Sequence, residues 1–232
     1  MNVGCIGAGS WGTTLAIHLA ELGHNVQLWA WDAEQRRRLS AERENRAYLP
    51  GIPFPATLHV VDSLADAASA SVVLIATPTQ FIRATFSTLP PSALDGRIIV
   101  SASKGIEQGS LLRISELLAE THGVTADQFV CFSGPSHAEE VSRKIPTLIV
   151  SASQSQHSAA TVRDLFTTDS LRVYSSTDLV GVELGGALKN PIALCAGIID
   201  GLGFGDNTKA ALITRALAEM TRIGTALGAD PQ

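Results

Sequence analysis

The stretch Val3-Gly4-Cys5-Ile6-Gly7-Ala8-Gly9-Ser10-Trp11-Gly12 decides the fold. Residues 3–6 form a short apolar run with β-branched members, which predicts a buried strand. Gly7, Gly9 and Gly12 then satisfy G-x-G-x-x-G, and a helical pattern over residues 13–22 follows at once, closed by Gly23 and His24. A strand, this turn and a helix in direct succession form the context in which the motif holds a dinucleotide. Gly7 allows the tight turn, Gly9 lets the backbone approach a pyrophosphate, and Gly12 lets the helix pack on the strand. The helix N-terminus offers unpaired N–H groups to the phosphates.

Outward from this unit, strands and helices alternate. Strands are predicted at 26–31, 59–61, 71–76, 97–102, 129–133, 147–151 and 171–174. Helices are predicted at 33–46, 63–68, 80–89, 111–121, 135–141 and 158–166. Residues 48–55, with Pro50, Gly51, Pro53 and Pro55, read as a loop. Buried strands alternating with helices predict an α/β fold with a doubly wound parallel sheet of the Rossmann type. After Ser175-Ser176-Thr177 the character changes. Asp178 is suited to cap a helix, and helical runs over 180–199 and 210–227 follow, separated by glycines, with Asp206, Asn207 or Thr208 as candidate caps of the second. The expected division is a dinucleotide-binding domain at 1–176 and the start of an all-helical domain at 177–232.

Composition narrows the class. Of 232 residues, 45% are hydrophobic and 17% charged, as in an ordinary globular protein. A net charge of −5 argues against a nucleic-acid binder, which needs a basic face. Cys5, Cys131 and Cys195 are far apart in apolar surroundings, so buried thiols in a reducing compartment are expected rather than disulfides. The six histidines show no metal-ligand spacing, and no metal is expected. Residues 3–22 lack the basic start of a signal peptide. No uninterrupted apolar run of membrane-spanning length is found, and a cytoplasmic location is expected.

Three polar segments interrupt the apolar pattern. Ser101-Ala102-Ser103-Lys104-Gly105 follows a strand, which places Lys104 at the carboxyl end of the sheet, where open α/β folds bind ligands. Ser133-Gly134-Pro135-Ser136-His137-Ala138 also follows a strand and opens a helix, so Gly134 and Ser136 can approach an anion. Lys189 and Asn190 stand inside the apolar helical stretch 180–199. A lysine there is either functional, with a pKa lowered by desolvation to suit proton transfer, or snorkels to the surface. Glu183, six positions earlier, does not face Lys189 on a regular helix. Lys209 and Arg215 either lend positive charge to the cleft or lie on the surface.

The choice of coenzyme stays open on these residues. Asp32, twenty positions after Gly12, is placed to accept from the ribose 2′-hydroxyl of NAD. Trp31 can lie against adenine. Arg36, Arg37 and Arg38 either accommodate the 2′-phosphate of NADP or form a solvated helix face.

Taken together, GAGSWGTTLA, SKGIE, SGPSHAEEV, ELGGALKN and GDNTKAALITRALAEM, in this order along the whole chain, resemble the NAD(P)-dependent glycerol-3-phosphate dehydrogenases. The resemblance implies an oxidoreductase that interconverts sn-glycerol 3-phosphate and dihydroxyacetone phosphate with NAD or NADP and feeds glycerophospholipid synthesis. It implies that Lys189 is the catalytic proton donor and acceptor. Asn190, Lys104, Gly134 and Ser136 then contact the small phosphorylated substrate. Gly7, Gly9, Ser10, Trp11, Gly12, Trp31, Lys104 and Ala138 contact the coenzyme. A homodimer is the expected assembly. The family's later motif, of the type GDLxxT…SRN, does not occur up to residue 232, so the chain is expected to stop before the last helices and the phosphate-holding arginine. Two other readings are a coenzyme-binding module without turnover, and another hydroxy-acid or imine-type dehydrogenase with a Rossmann and a helical domain.

Overall fold

The computed structural model describes residues 1–230; the last two positions of the expected second domain, Pro231 and Gln232, lie outside the described residues. The chain runs β1 (Asn2–Ile6), α1 (Ser10–Glu21), β2 (Asn25–Trp29), α2 (Ala33–Glu42), β3 (Glu44–Asn45), β4 (Leu49–Pro53), β5 (Leu58–Val60) and α3 (Leu64–Ala68). It continues through β6 (Val72–Ile75), α4 (Thr79–Phe86), β7 (Ile98–Ser101), α5 (Ile114–His122), β8 (Phe129–Ser133), α6 (Ala138–Ser142) and β9 (Thr147–Ala152). Then follow α7 (Gln156–Phe166), β10 (Leu171–Ser176), α8 (Leu179–Gly201) and α9 (Asp206–Ala226).

Eight strands form one sheet in the order β10-β9-β8-β7-β6-β1-β2-β5. Alternating side chains supply a core on each face. Val3 and Cys5 of β1 join Leu15 and Leu19 of α1 on one side. Ile6 joins Val73 and Ile75 of β6 and Phe86 of α4 on the other. Each such fully buried aliphatic or phenyl side chain contributes about 1.5–3 kcal/mol. The strands β1, β6, β7 and β8 are buried almost end to end, as strands covered on both faces must be.

The sheet departs from the all-parallel expectation at one pair: β8 and β9 are antiparallel. The connection between them carries only the five-residue α6, and Lys144 turns it at φ 60. The chain therefore re-enters the sheet from the end at which β8 left it, because a parallel return needs a longer crossover.

Other expectations are corrected locally. The helix predicted to residue 46 ends at Glu42, where Arg43 adopts φ 55. The guanidinium of Arg43 donates to the carbonyls of Leu58 and Pro55, each at 2.6 Å, which fastens the following segment. That segment is not a plain loop: β3 pairs antiparallel with β4. Leu111, at φ 59, delays the predicted helix to Ile114. Gly205, and not one of the three polar residues after it, is the N-cap of α9. The glycines of α8 do not interrupt it; it is continuous over 23 residues. Cys195 lies exposed on α8, whereas Cys5 and Cys131 are buried. Lys209 pairs with Asp200 at 2.6 Å and Arg215 with Glu219 at 2.5 Å, both within the α8–α9 hairpin.

Candidate active site

The sheet order reverses between β1 and β6: the chain goes outward from β1 through β2 to β5, then returns to β6 on the other side. Open α/β sheets bind ligands outside the carboxyl ends of their strands at such a point. Here a cleft of about 420 Å³ opens, walled by Gly7–Gly9 after β1, by Trp29 and Trp31 at the end of β2, and by Thr77, Pro78 and Phe81 after β6.

The three glycines of the turn do different work. Gly7 sits at φ 117, and a Cβ there would stand 2.7 Å from the Ala76 carbonyl. A Cβ on Gly12 would stand 2.0 Å from the Gly7 oxygen. Gly9, the N-cap of α1, meets nothing within 4 Å. The first and third glycines are thus required by the protein's own packing, and the second faces open space at a helix N-terminus. This is the fit that a pyrophosphate needs. Ser10 and Trp11 are the first residues of α1.

Two amides missed in the sequence hold this turn. Gln35 Nε2 donates to the Ala8 carbonyl at 2.8 Å, and the buried Asn45 Nδ2 donates to it at 3.0 Å and to Thr13 Oγ1 at 2.7 Å. No local motif marks either residue, because the partner lies 27 or 37 positions away. The Cys5 thiol, pushed up to about 12 by burial, stays protonated and donates to the Gly12 carbonyl at 3.4 Å.

The lysine-bearing turn after β7 is tied to the end of β6. Ser103 Oγ donates to the Thr77 carbonyl at 2.6 Å, and Thr79 Oγ1 donates to the Lys104 carbonyl at 2.9 Å. Lys104 Nζ lies 5.8 Å from the centroid of the Trp11 ring, so the SKG turn reaches back to the glycine turn. Burial holds the Lys104 ammonium below the usual lysine range, and the charge of Lys189 pushes it the same way. The two lysines therefore share one electrostatic environment.

The helix α8 approaches this point from the other side. A Cβ on Gly186 would lie 2.8 Å from Ser133 Oγ, so Gly186 lets the helix cross closely over the end of β8. Beyond it α8 leaves the sheet, which is why Lys189 is half-buried rather than enclosed and Asn190 is exposed. Gly134 and Ser136 lie in the turn after β8, with Ser136 Oγ donating to the Gly134 carbonyl at 3.3 Å. Ala138 opens α6, and its carbonyl accepts from Thr14 Oγ1 of α1 at 3.3 Å. Trp31 projects from the end of β2, edge-on to Trp29.

Glu183, to which the sequence reading assigned no partner, is buried beside Lys104 and Ser133. One carboxylate oxygen accepts from the Ser115 amide at 3.0 Å. The other accepts from Ser115 Oγ and from Arg113 Nη1, each at 2.7 Å. Burial pushes its carboxyl up, against the pull of these donors. The cluster fastens α8 to the start of α5, and its only sequence signal is an acidic residue within an apolar run.

Known proteins match this arrangement. The family described as NAD-dependent glycerol-3-phosphate dehydrogenase matches through its N-terminal model over residues 2–159 and its C-terminal model over residues 178–232. Among curated relatives, a glycerol-3-phosphate dehydrogenase of the NAD(P)+ type from Chlorobium phaeobacteroides is 52% identical over 233 residues, covering 100% of this chain and 70% of the relative. One from Geobacter sulfurreducens is 50% identical, with the same coverage of both. The crystal structure of glycerol-3-phosphate dehydrogenase from Coxiella burnetii superposes with a TM-score of 0.91 at 35% identity, over 99% of this chain and 70% of that one. With both family models in register along the sheet and helices that build the cleft, the chain belongs to the NAD-dependent glycerol-3-phosphate dehydrogenase family.

Proposed function

We propose that the cleft and the two lysines form the reaction site of an NAD(P)-dependent enzyme interconverting glycerol 3-phosphate and dihydroxyacetone phosphate. Family membership supports the reaction. The observation that carries the site is the meeting of Lys104 with both the Trp11 ring of the glycine turn and the field of Lys189. Gly7, Gly9, Ser10, Trp11 and Gly12 hold the dinucleotide phosphates, Trp31 lies against the adenine, and Ala138 borders the coenzyme. A bound nicotinamide supplies or takes the hydride at substrate C2.

Lys189 gives a proton to the C2 oxygen during reduction and takes it back during oxidation. Lys104, held in a partly desolvated place, offsets the negative charge that develops on that oxygen. Gly134, Ser136 and Asn190 position the substrate around it. Residues 1–176 form the coenzyme domain in this reading, and 177–232 begin the substrate domain. One helix, α8, is long and apolar enough by composition to cross a membrane. Its Glu183, Lys189 and Asn190, and its packing on β8, support its place in the substrate domain instead. A cytoplasmic homodimer supplying glycerophospholipid synthesis completes the proposal. Loss of reduced-nicotinamide absorbance on addition of dihydroxyacetone phosphate tests it. Coenzyme binding without any turnover would favour a binding module.

A further inference from the structure

The strand β7 ends on a polar residue in an apolar place. Ser101 closes the run Ile98-Ile99-Val100-Ser101 and is 1% exposed. The register sets it beside Cys131 of β8, and alternation along β8 puts Ser133 on the same face as Cys131. Ser101 Oγ is fully enclosed and finds no hydrogen-bond partner among the described residues. A buried hydroxyl left in that condition is costly.

A cavity of about 10 Å³ lies at this point. It is bordered by Ser101, Cys131 and Ser133 from the sheet, by Lys104 of the following turn, and by Glu183 and Gly186 of α8. Its volume matches one water molecule, and its border carries hydroxyl- and charge-bearing side chains, whereas cavities that stay dry are apolar. The partners that a water needs are present. The Glu183 carboxylate has room for about four hydrogen bonds, and Ser115 and Arg113 fill three of them. The Lys104 ammonium stands 5.8 Å from the Trp11 ring but makes no hydrogen bond or ion pair to the described residues. Cys131 offers little, because burial pushes its thiol up and keeps it protonated.

From this we infer that a single ordered water occupies the cavity, bound by Ser101 Oγ, and that it links the Glu183 carboxylate to the Lys104 ammonium. The water accepts from Ser101 and Lys104 and donates to Glu183. Ser101 is thus a positioning residue: through the water it holds the lysine turn to α8, the helix that also carries Lys189. The charged groups and rings facing Lys104 are then Lys189 and Glu183 of α8, Cys131 of β8 and Trp11 of α1. A bond from the ammonium to the water favours the charged form, against burial and the Lys189 charge, which lower it. The bearing on catalysis rests on the role proposed above for Lys104; the water site does not.

Two measurements test this without turnover. A high-resolution crystal structure of the protein should show one water about 2.5–3.0 Å from Ser101 Oγ. The Lys104 side-chain carbon resonance, assigned by its loss in Lys104→Arg, is followed by nuclear magnetic resonance through an alkaline titration. Ser101→Val fills the cavity with methyl groups in a strand that suits valine. It should remove the water and lower the Lys104 midpoint by about one pH unit, the size of a hydrogen bond lost to a charged group. Ser101→Ala keeps room for the water but takes away one partner, and should lower the midpoint less. A dry cavity in the parent protein overturns the inference. So does a Lys104 midpoint that is unmoved in both variants. Both results as expected in a protein without turnover would sustain the inference and overturn the reaction proposed above.

Discussion

Two apolar helices of this chain have opposite surroundings. In α1, eight of twelve residues are buried, and the helix is locked between the sheet, the Asn45 amide and α6. In α8, four of 23 residues are buried, and all four lie at or before Gly186. Leu194 and Ile198 farther along are exposed. Apolar sequence thus serves a packed scaffold in one helix and a surface in the other. In both, the residue proposed for the site stands where packing stops: Gly9, open to the cleft at the start of α1, and Lys189, where α8 leaves the sheet.

The largest effect is expected where the scaffold is densest. Gly12→Ala forces a Cβ against the Gly7 carbonyl oxygen, and it should cost about 3 kcal/mol of stability as an overpacked contact, together with coenzyme binding. Gly9→Ala is the counterpart. It meets nothing in the protein, so thermal stability should stay within about 0.5 kcal/mol, while coenzyme affinity falls by at least about tenfold. Equal stability losses in the two variants would remove the distinction between packing and binding glycines.

A second effect belongs to α8. Lys189→Ala should lower turnover by at least about a hundredfold, typical of losing a general acid, and leave NADH affinity unchanged. Stability should barely move, because the side chain is half-buried and outside the core. Near-normal turnover would reassign the proton to another group.

The comparison also explains what the sequence revealed. The glycine turn and the strand–helix alternation were legible because each depends on neighbours a few positions apart; Lys104 and Lys189 stood out locally only as charges that interrupt an apolar pattern, and their roles came from the family resemblance. The Asn45 and Gln35 bonds to Ala8, the Glu183 cluster with Arg113 and Ser115, and the antiparallel β9 were not legible. Each depends on which distant segments meet, and a period of two or 3.6 residues carries no such information. For Lys189 the apolar run around it left a desolvated and a snorkelling lysine both open; it is half-buried, because the run continues but the sheet beneath it does not.

A smaller effect concerns pH. Burial and the Lys189 charge both disfavour the charged form of Lys104. Its folded pKa therefore lies below that of a free lysine, and the ammonium loses its proton earlier as pH rises. If that cation assists the substrate oxygen, kcat/KM for dihydroxyacetone phosphate should fall on the alkaline side, below the free-lysine value of about 10.4. Lys104→Arg keeps its charge over the whole range and should abolish that limb at the cost of a lower plateau. An unchanged limb in this variant would show that another group titrates.

The smallest effect is expected on the outer face of α8. Ile198 is 52% exposed, whereas Leu15 in α1 is fully buried. Leu15→Ala should cost about 2–5 kcal/mol, the lost transfer energy plus the cavity left under the sheet. Ile198→Ser removes a side chain that already faces solvent for half its area, so denaturant midpoints should shift by no more than about 0.5 kcal/mol. The pair separates two meanings of an apolar residue at the same helical spacing. A loss at Ile198 approaching that at Leu15 would mean that another surface covers this face in solution, and that the contrast between the helices is one of assembly rather than of fold. Repeating the unfolding at several protein concentrations distinguishes the two, because a face covered by a second copy makes the midpoint depend on concentration.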